Sequence, residues 1–158
     1  MKRLAGFLAL LTFAGCSLPS QQIQNSNTAP TTSTSKDEVL MTVGKEKVIK
    51  HADGSLKMSA DVLAAMYQTN EVTADEIVKD KTVEVTGKIE RIGKDIFNSM
   101  YSTFKTKSYS LPGVQCMFDE SQKEAVMQMA PGQTKTIRGV CKGKTIGIIL
   151  LRDSAIID

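Results

Sequence analysis

The 158-residue sequence contains no tryptophan, one histidine and three cysteines, and only 5% of its residues are aromatic. A single histidine excludes a histidine-rich metal site, and the two widely separated cysteines that follow Cys16 do not have the arrangement of a zinc site. We interpret His51 as a surface or turn residue and find no histidine-based triad. The sequence therefore predicts no enzyme, no metal and no cofactor.

Two short patterns that resemble catalytic motifs have simpler explanations. The paired carboxylates Asp75-Glu76 and Asp119-Glu120 stand at the starts of predicted helices, where capping and the helix dipole favour acidic side chains. Gly143-Lys144-Thr145 resembles the end of a phosphate-binding loop. The preceding Gly139 is too close for that motif, and the segment joins two predicted strands.

A large charge of one sign is also missing. The formal net charge is +3, and without Lys2 and Arg3 at the N-terminus it is +1. A strongly basic domain would indicate nucleic acid or an anionic surface as a partner. A nearly neutral domain gives no such indication.

The longest hydrophobic run lies at the N-terminus. Leu4–Ala14 follows two cations and has the length of a signal-peptide core, but it is too short to span a bilayer of about 30 Å. Small residues then precede Cys16, in a pattern that resembles the lipobox of bacterial lipoproteins. We predict a lipoprotein signal peptide at 1–15 and lipid, including palmitate, on Cys16. The alternative is an ordinary signal peptide with an incidental cysteine.

The residues after Cys16 predict which membrane holds the protein and how far the folded domain can extend from it. In Gram-negative lipoproteins an aspartate at the next position is associated with the inner membrane. Ser17 therefore predicts the outer membrane, facing the periplasm, if the host has one. Residues 16–35 hold too few apolar side chains to form a core, so we expect a disordered tether with a mean span of roughly 25 Å. Residues 36–58 form an extension of uncertain structure.

The remaining residues, 59–158, alternate between helical and strand patterns. Apolar spacing predicts a helix over Ser59–Gln68 and a second short helix that opens at Thr73. Alternate apolar residues then predict a long strand over Val83–Ile89, bent at Gly87 and bulged near Arg91.

Four more strands complete the expected order. Two strands are predicted at 108–111 and 114–118, and a helix that starts at Ser121 follows them. The last two strands are predicted at 137–141 and 146–151, with a turn at 142–144 between them. This order, with a helix between the third and fourth strands, is that of an OB-fold. We therefore predict a mainly β protein of the α+β class, with a five-stranded OB-fold barrel preceded by one or two short helices.

Four segments follow one another within this region: Asn70–Asp75, Val83–Ile89, Val114–Asp119 and Ile137–Gly143. In this order and spacing they resemble the tRNA-anticodon-binding-like OB-fold family of bacterial proteins. The resemblance implies an OB-fold. The family name reflects a fold shared with nucleic-acid binders and implies no particular activity.

The two cysteines of the folded region lie on alternating apolar strand faces. If Cys16 carries lipid, Cys116 and Cys141 remain in an exported, oxidising compartment, where disulfides form. We expect a disulfide between them, which would contribute about 3 kcal/mol. The alternative is two separate buried thiols that pack as small hydrophobic groups.

The best candidate for a ligand face combines aromatic and basic residues, as single-strand-binding OB-folds do. It comprises Phe97, Tyr101, Phe104, Lys105, Lys107 and Tyr109. The alternative is that about half of these aromatics pack the barrel and that the lysines are merely solvated.

These observations favour a membrane-anchored, exported lipoprotein with a non-enzymatic OB-fold module. Its ligand would be a protein, a glycan or a peptide at the cell envelope. One alternative is extracytoplasmic binding of single-stranded nucleic acid. Another is envelope exclusion or stress protection.

Overall fold

The computed structural model describes residues 37–107 and 113–157. The predicted signal peptide, Cys16 and the predicted tether lie outside the described residues, as does the strand predicted at 108–111. In the described ranges, no helix is long and apolar enough to cross a membrane.

The described chain forms eight strands, three α-helices and one 3-10 turn. The strands are β1 (Glu38–Val43), β2 (Glu46–Lys50), β3 (Leu56–Ser59), β4 (Thr82–Lys94), β5 (Met100–Lys105), β6 (Gly113–Phe118), β7 (Thr134–Thr145) and β8 (Ile148–Ile156). The helices are α1 (Ala60–Thr69), α2 (Glu71–Val78) and α3 (Lys123–Met127), and the 3-10 turn Glu120–Gln122 precedes α3.

Five of the strands close into a barrel in the order β4-β5-β6-β8-β7, and β7 pairs back with β4. The pair β6–β8 is parallel, and the other four pairs of the barrel are antiparallel. With α3 between β6 and β7, this is an OB-fold, which confirms the predicted fold class. The strands β1 to β3 extend the sheet, because β3 pairs in parallel with the first half of β4.

The long strand β4 takes part in three pairings because it bends. Its first half pairs with β3 and β7, and its second half pairs with β5. At the bend, a Cβ atom on Gly87 would lie 2.7 Å from Cδ1 of Phe104 and 2.9 Å from Cβ of Ala60. The bulge predicted near Arg91 is confirmed, since the β4–β5 register shifts between Ile89 and Arg91.

The barrel interior is filled by alternate residues of its strands, and α1 lies against it. Because side chains alternate between the faces of a strand, each barrel strand contributes every second residue to the core. The fully buried side chains of the barrel include Val83, Val85, Ile89, Phe104, Val114, Cys116, Ile137, Cys141, Ile149 and Leu151. Burial of each large aliphatic side chain contributes about 1.5–3 kcal/mol.

Side-chain caps set the starts of the two helices before the barrel. Ser59 accepts a hydrogen bond from the backbone N of Val62, as predicted. The second helix begins earlier than expected, because Asn70 rather than Thr73 is its cap and accepts from the Thr73 N–H. Asp119 caps the 3-10 turn before α3 in the same way, where a capping box at Ser121 was expected.

Two predicted boundaries in the barrel are wrong. The strand β5 spans Met100–Lys105, where no strand was predicted, because polar Ser102 and Thr103 conceal the alternation of buried Met100 and Phe104. The turn expected at 142–144 is a bulge inside β7, where Gly143 has a positive φ and the register with β8 shifts.

The predicted disulfide between Cys116 and Cys141 is also wrong, because β8 runs between them. Leu151 is the partner of Cys116 on one side and of Cys141 on the other. Two strand spacings separate the cysteines by about 9–10 Å, whereas a disulfide needs Cα atoms within about 7 Å. Both are buried free thiols, and burial raises the pKa of each above its ordinary value. The alternative prediction of two separate thiols is confirmed.

His51, the only histidine of the sequence, lies at the start of the turn between β2 and β3. Its ring contacts one carboxylate of the extension and one of the barrel. Nδ1 of His51 lies 2.9 Å from Oδ1 of Asp37, and Nε2 lies 3.4 Å from Oε2 of Glu84 on β4. Arg138 on β7 donates to the same Glu84 and to Asp53. The hydrogen bond to Asp37, supported by the nearby carboxylates, raises the pKa of His51 above its ordinary value.

We predict that Gly87→Ala destabilises the fold by about 1–3 kcal/mol, because the new methyl group must displace Phe104 or Ala60 in a packed core. The matched control is Gly113→Ala, since a Cβ atom at Gly113 meets nothing within 4 Å. Urea denaturation of both variants measures the difference. Equal stabilities of the two variants would contradict the role assigned to the bend.

We also predict that the free energy of unfolding decreases as the pH rises from roughly 6 to 8. Because the pKa of His51 is higher in the folded state than in the unfolded state, protonation of His51 stabilises the fold. This stabilisation is complete below the unfolded-state pKa and is lost as the pH rises through the folded-state pKa. Urea denaturation across this range should show the decrease in the parent chain and a flat profile in His51→Gln. A variant that retains the full pH dependence would assign the effect to other groups.

Candidate functional site

The outer surface of the barrel on β4, β5, β6 and β8 is the candidate binding face. Strand alternation directs the buried residues inward and leaves their neighbours on this surface. We use the term outer face for Arg91, Gly93, Tyr101, Thr103, Lys105, Gln115, Met117 and Leu150.

An aromatic side chain lies in the row of the outer face that is nearest to the turn between β4 and β5. Tyr101 on β5 pairs with Gly93 on β4 and with Met117 on β6. A Cβ atom on Gly93 would lie 3.1 Å from the hydroxyl oxygen of Tyr101 and 3.2 Å from Cζ. The ring therefore lies across the glycine, which holds it flat on the sheet with one side towards solvent.

A second row of polar residues lies beside the aromatic row. Thr103 pairs with Arg91 on one side and with Gln115 on the other, and Gln115 pairs with Leu150 of β8. The amide of Gln115 donates to the sulfur of Met117 at 3.1 Å. The outer face thus offers one aromatic ring, aliphatic and thioether surface, and hydrogen-bonding groups in alternation.

The turn between β4 and β5 continues the outer face at one end. The carboxylate of Asp95 accepts hydrogen bonds from the backbone N–H groups of Phe97 and Ser99. This arrangement fixes the turn and directs two apolar side chains outward. Ile96 is 93% exposed and Phe97 is 81% exposed.

The turn between β7 and β8 lies at the other end of β4 from the turn between β4 and β5. It consists of Ile146 and Gly147, both with positive φ. Ile146 is 96% exposed, and Ile148, at the start of β8, is 40% exposed. Each end of the barrel surface therefore carries exposed apolar side chains.

The structure brings together only part of the predicted ligand face. Tyr101 and Lys105 lie on the outer face, and Phe97 lies on the adjoining turn. The prediction for Phe104 is wrong: its ring is 1% exposed and packs inside the barrel against the bend of β4. Tyr109 lies outside the described residues.

Lys107 is held away from the outer face by ion pairs. Its Nζ lies 3.0 Å from Oε1 of Glu46 and 3.3 Å from Oδ2 of Asp61, and these hydrogen bonds raise its pKa. It lines a cleft of about 230 Å³ beside the start of α1. Lys88 and Lys105 line the same cleft and oppose each other across the β4–β5 ladder.

Sequence reasoning missed several members of the outer face. Arg91 and Gly93 follow the bulge in β4, so their orientation depends on a register that alternation alone does not give. Gln115 and Met117 were detectable, because they alternate with the apolar Val114, Cys116 and Phe118. Ile146, which lies on the turn between β7 and β8 and not on the outer face, was also missed, and its signal was an isoleucine immediately before a glycine.

The described residues contain no group of three or more His, Cys, Asp or Glu side chains placed to hold a metal ion. The buried Tyr67 hydroxyl, which donates to Asp75 at 2.8 Å and lies 3.8 Å from the sulfur of Cys141, is a packing contact between the helices and β7.

Comparison with solved structures gives a match of TM-score 0.53 and 21% sequence identity. It is a crystal structure described as a putative nucleic acid-binding lipoprotein from Klebsiella pneumoniae subsp. pneumoniae, and the alignment covers 63% of this chain and 91% of that chain. At this level of identity the likeness shows the fold alone. None of the curated proteins compared matches the chain.

A family model extends the resemblance seen in the sequence. The tRNA_anti-like family model matches residues 2–155, a wider range than the segments from Ser59 onward. The match includes the extension β1–β3 as well as the barrel. The chain therefore belongs to the tRNA_anti-like family.

Proposed function

We propose that this protein is an exported, lipid-anchored binding protein that acts without catalysis. Its outer face binds an extended polypeptide segment of a partner at the cell envelope. The observation that carries this proposal is the apolar row that runs from Ile96 and Phe97 over Tyr101 and Met117.

The composition of the outer face favours a polypeptide. Tyr101 and Met117 offer apolar contact, while Thr103 and Gln115 beside them offer hydrogen bonds. An extended peptide matches this surface, because its apolar side chains alternate with backbone groups that donate and accept hydrogen bonds. A few aromatic anchors contribute a large part of the binding free energy of such surfaces.

Single-stranded nucleic acid is a second candidate, favoured by one feature of the outer face. Tyr101 presents a flat ring in the row next to the cation Arg91, and aromatic stacking beside cations is how OB-folds hold single strands. The similar Klebsiella structure carries a nucleic acid-binding description. Against this candidate stands the low net charge of the chain, which is +1 without Lys2 and Arg3.

The anchor is proposed from the sequence pattern at 1–16, and the lipoprotein description of the Klebsiella structure supports it. We propose that the signal peptide 1–15 is removed, that Cys16 is lipidated and that residues 16–35 act as the tether. Ser17 supports the outer membrane, on its periplasmic side, in a Gram-negative host. Residues 36–58 would then act with the OB-fold at 59–158 as one binding module.

We predict that Tyr101→Ala weakens binding of peptides selected from a random library by about tenfold or more, since an anchor of this kind contributes ~1.4 kcal/mol or more. Fluorescence anisotropy with the soluble Cys16→Ala chain measures the affinities. The matched control is Met127→Ala, because Met127 is exposed on α3 and is not a member of the outer face.

The same measurement with a labelled oligo-dT strand separates the two candidates. Nucleic-acid binding would decrease steeply with salt and would be lost in Arg91→Ala, because phosphate contacts release counterions. Binding of the oligonucleotide with those properties, and selection of no peptides, would overturn the polypeptide proposal.

We predict that Cys16→Ala moves the protein from the membrane to the soluble fraction while the domain remains folded. Lipid chains on the cysteine are the proposed attachment, and the described residues contain no spanning helix. Fractionation and incorporation of labelled palmitate measure the outcome, with Cys116→Ala as the control that retains its lipid. A Cys16→Ala chain that still sediments with membranes would remove the anchor from the proposal.

A further inference from the structure

The turn between β7 and β8 has a residue that its backbone does not favour. Ile146 and Gly147 have φ angles of 51° and 75°. Two consecutive positive φ angles are those of a type I′ hairpin turn, in which asparagine followed by glycine is preferred. A β-branched side chain in this region is an outlier that costs free energy.

Core packing does not explain the choice of isoleucine at this position. The side chain of Ile146 is 96% exposed, more than any other large apolar side chain of the described residues. Ile148, two residues later, is also exposed in part. Unfavourable backbone conformations persist mainly at functional sites, so the positive φ of the exposed Ile146 points to a contact with something outside the chain.

Strand direction places this turn at the end of the sheet where the chain enters. Glu38 at the start of β1 pairs with Lys50 of β2, and Lys50 pairs with Leu56 of β3. Leu56 in turn pairs with Val83, so the start of β1 is level with the start of β4. The antiparallel strand β7 runs past the start of β4 to Thr145. The turn between β4 and β5 lies at the opposite end of β4.

The proposed anchor sets how far this turn is from a membrane. Cys16 precedes Asp37, the first described residue, by about 20 residues, and the tether proposed for 16–35 would give a mean span of roughly 25 Å. A domain held at that distance meets the bilayer at a high effective concentration. A contact too weak to bind a free protein is then sufficient to orient a tethered one.

We propose that the turn of β7 and β8 inserts Ile146 into the surface of the bilayer that holds the anchor, with Ile148 at the headgroup level. This inference rests on the anchoring stated under the proposed function. A single side chain at the tip of a convex turn suits lipid, which moves apart around it. The outer face is thereby kept accessible above the membrane.

Fluorescence can test the contact directly, because the sequence contains no tryptophan. The chain from Ser17 onward carries a hexahistidine tag in place of Cys16 and is bound to phosphatidylcholine vesicles that contain a nickel-chelating lipid. Ile146→Trp provides the reporter, and Met127→Trp provides the matched control on α3. Brominated acyl chains quench tryptophan only at close range.

We expect a blue shift and quenching for Ile146→Trp and neither for Met127→Trp. Absence of quenching at position 146 would overturn the proposal, as would equal quenching at both positions. A blue shift that depends on protein concentration and not on brominated lipid would indicate a second copy of the chain as the occupant. Because the tag replaces lipid, a negative result is distinct from failure of Cys16 to be lipidated.

A second variant separates membrane contact from fold stability. Ile146→Asn introduces the residue that the turn prefers, so the variant should unfold at the same or a higher urea concentration. With Ile148→Trp as the reporter, Ile146→Asn should abolish the quenching by brominated lipid, since one fully buried isoleucine changes partition roughly 10- to 100-fold. Met127→Asn in the same background should leave quenching unchanged. Retained quenching in Ile146→Asn would contradict the assignment of Ile146 as the inserted residue.

Discussion

The contact between Gly87 and Phe104 is the constraint on which the rest of the structure depends. A side chain at Gly87 would occupy the space that the Phe104 ring already fills. Because Gly87 has no side chain and leaves this space to the Phe104 ring, β4 bends and serves two parts of the barrel, with β7 beside its first half and β5 beside its second. Without the bend, β7 could not return to β4, and the five-stranded sheet would stay open.

The same strand also determines which residues reach the outer face. The bulge between Ile89 and Arg91 shifts the register by one residue, so Arg91 and Gly93 point outward while Ile89 points inward. Gly93 then lies beside Tyr101 and leaves room for its ring. The glycines of β4 therefore have two different uses: Gly87 closes the barrel, and Gly93 positions the aromatic ring of the outer face.

Sequence patterns predicted the barrel well where alternation was strong. The bend at Gly87, the bulge near Arg91 and the inward position of Cys116 all followed from one apolar residue in every two. Prediction failed where polar residues occupy inward positions, as at Ser102, or where a glycine suggests a turn but forms a bulge, as at Gly143.

The candidate site was harder to predict than the fold, because it depends on contacts between strands. Phe104 and Tyr101 differ by three positions and have similar chemistry, yet one fills the core and the other lies on the surface. Only the register of β5 distinguishes them. The disulfide prediction failed for the same reason. Alternation placed both thiols inside the barrel, but only the strand order shows that Leu151 lies between Cys116 and Cys141.

The two hairpin turns suggest a division of roles that neither turn shows alone. Asp95 fixes one turn through hydrogen bonds, and Phe97 there extends the outer face. The other turn accepts an unfavourable φ at Ile146 and lies where the chain enters the sheet. Since the turns lie at opposite ends of β4, a bilayer contact at Ile146 directs Phe97 away from the membrane. The anchor would then limit the distance of the module from the membrane and Ile146 its orientation, so that the outer face meets a partner in the space beyond the lipid.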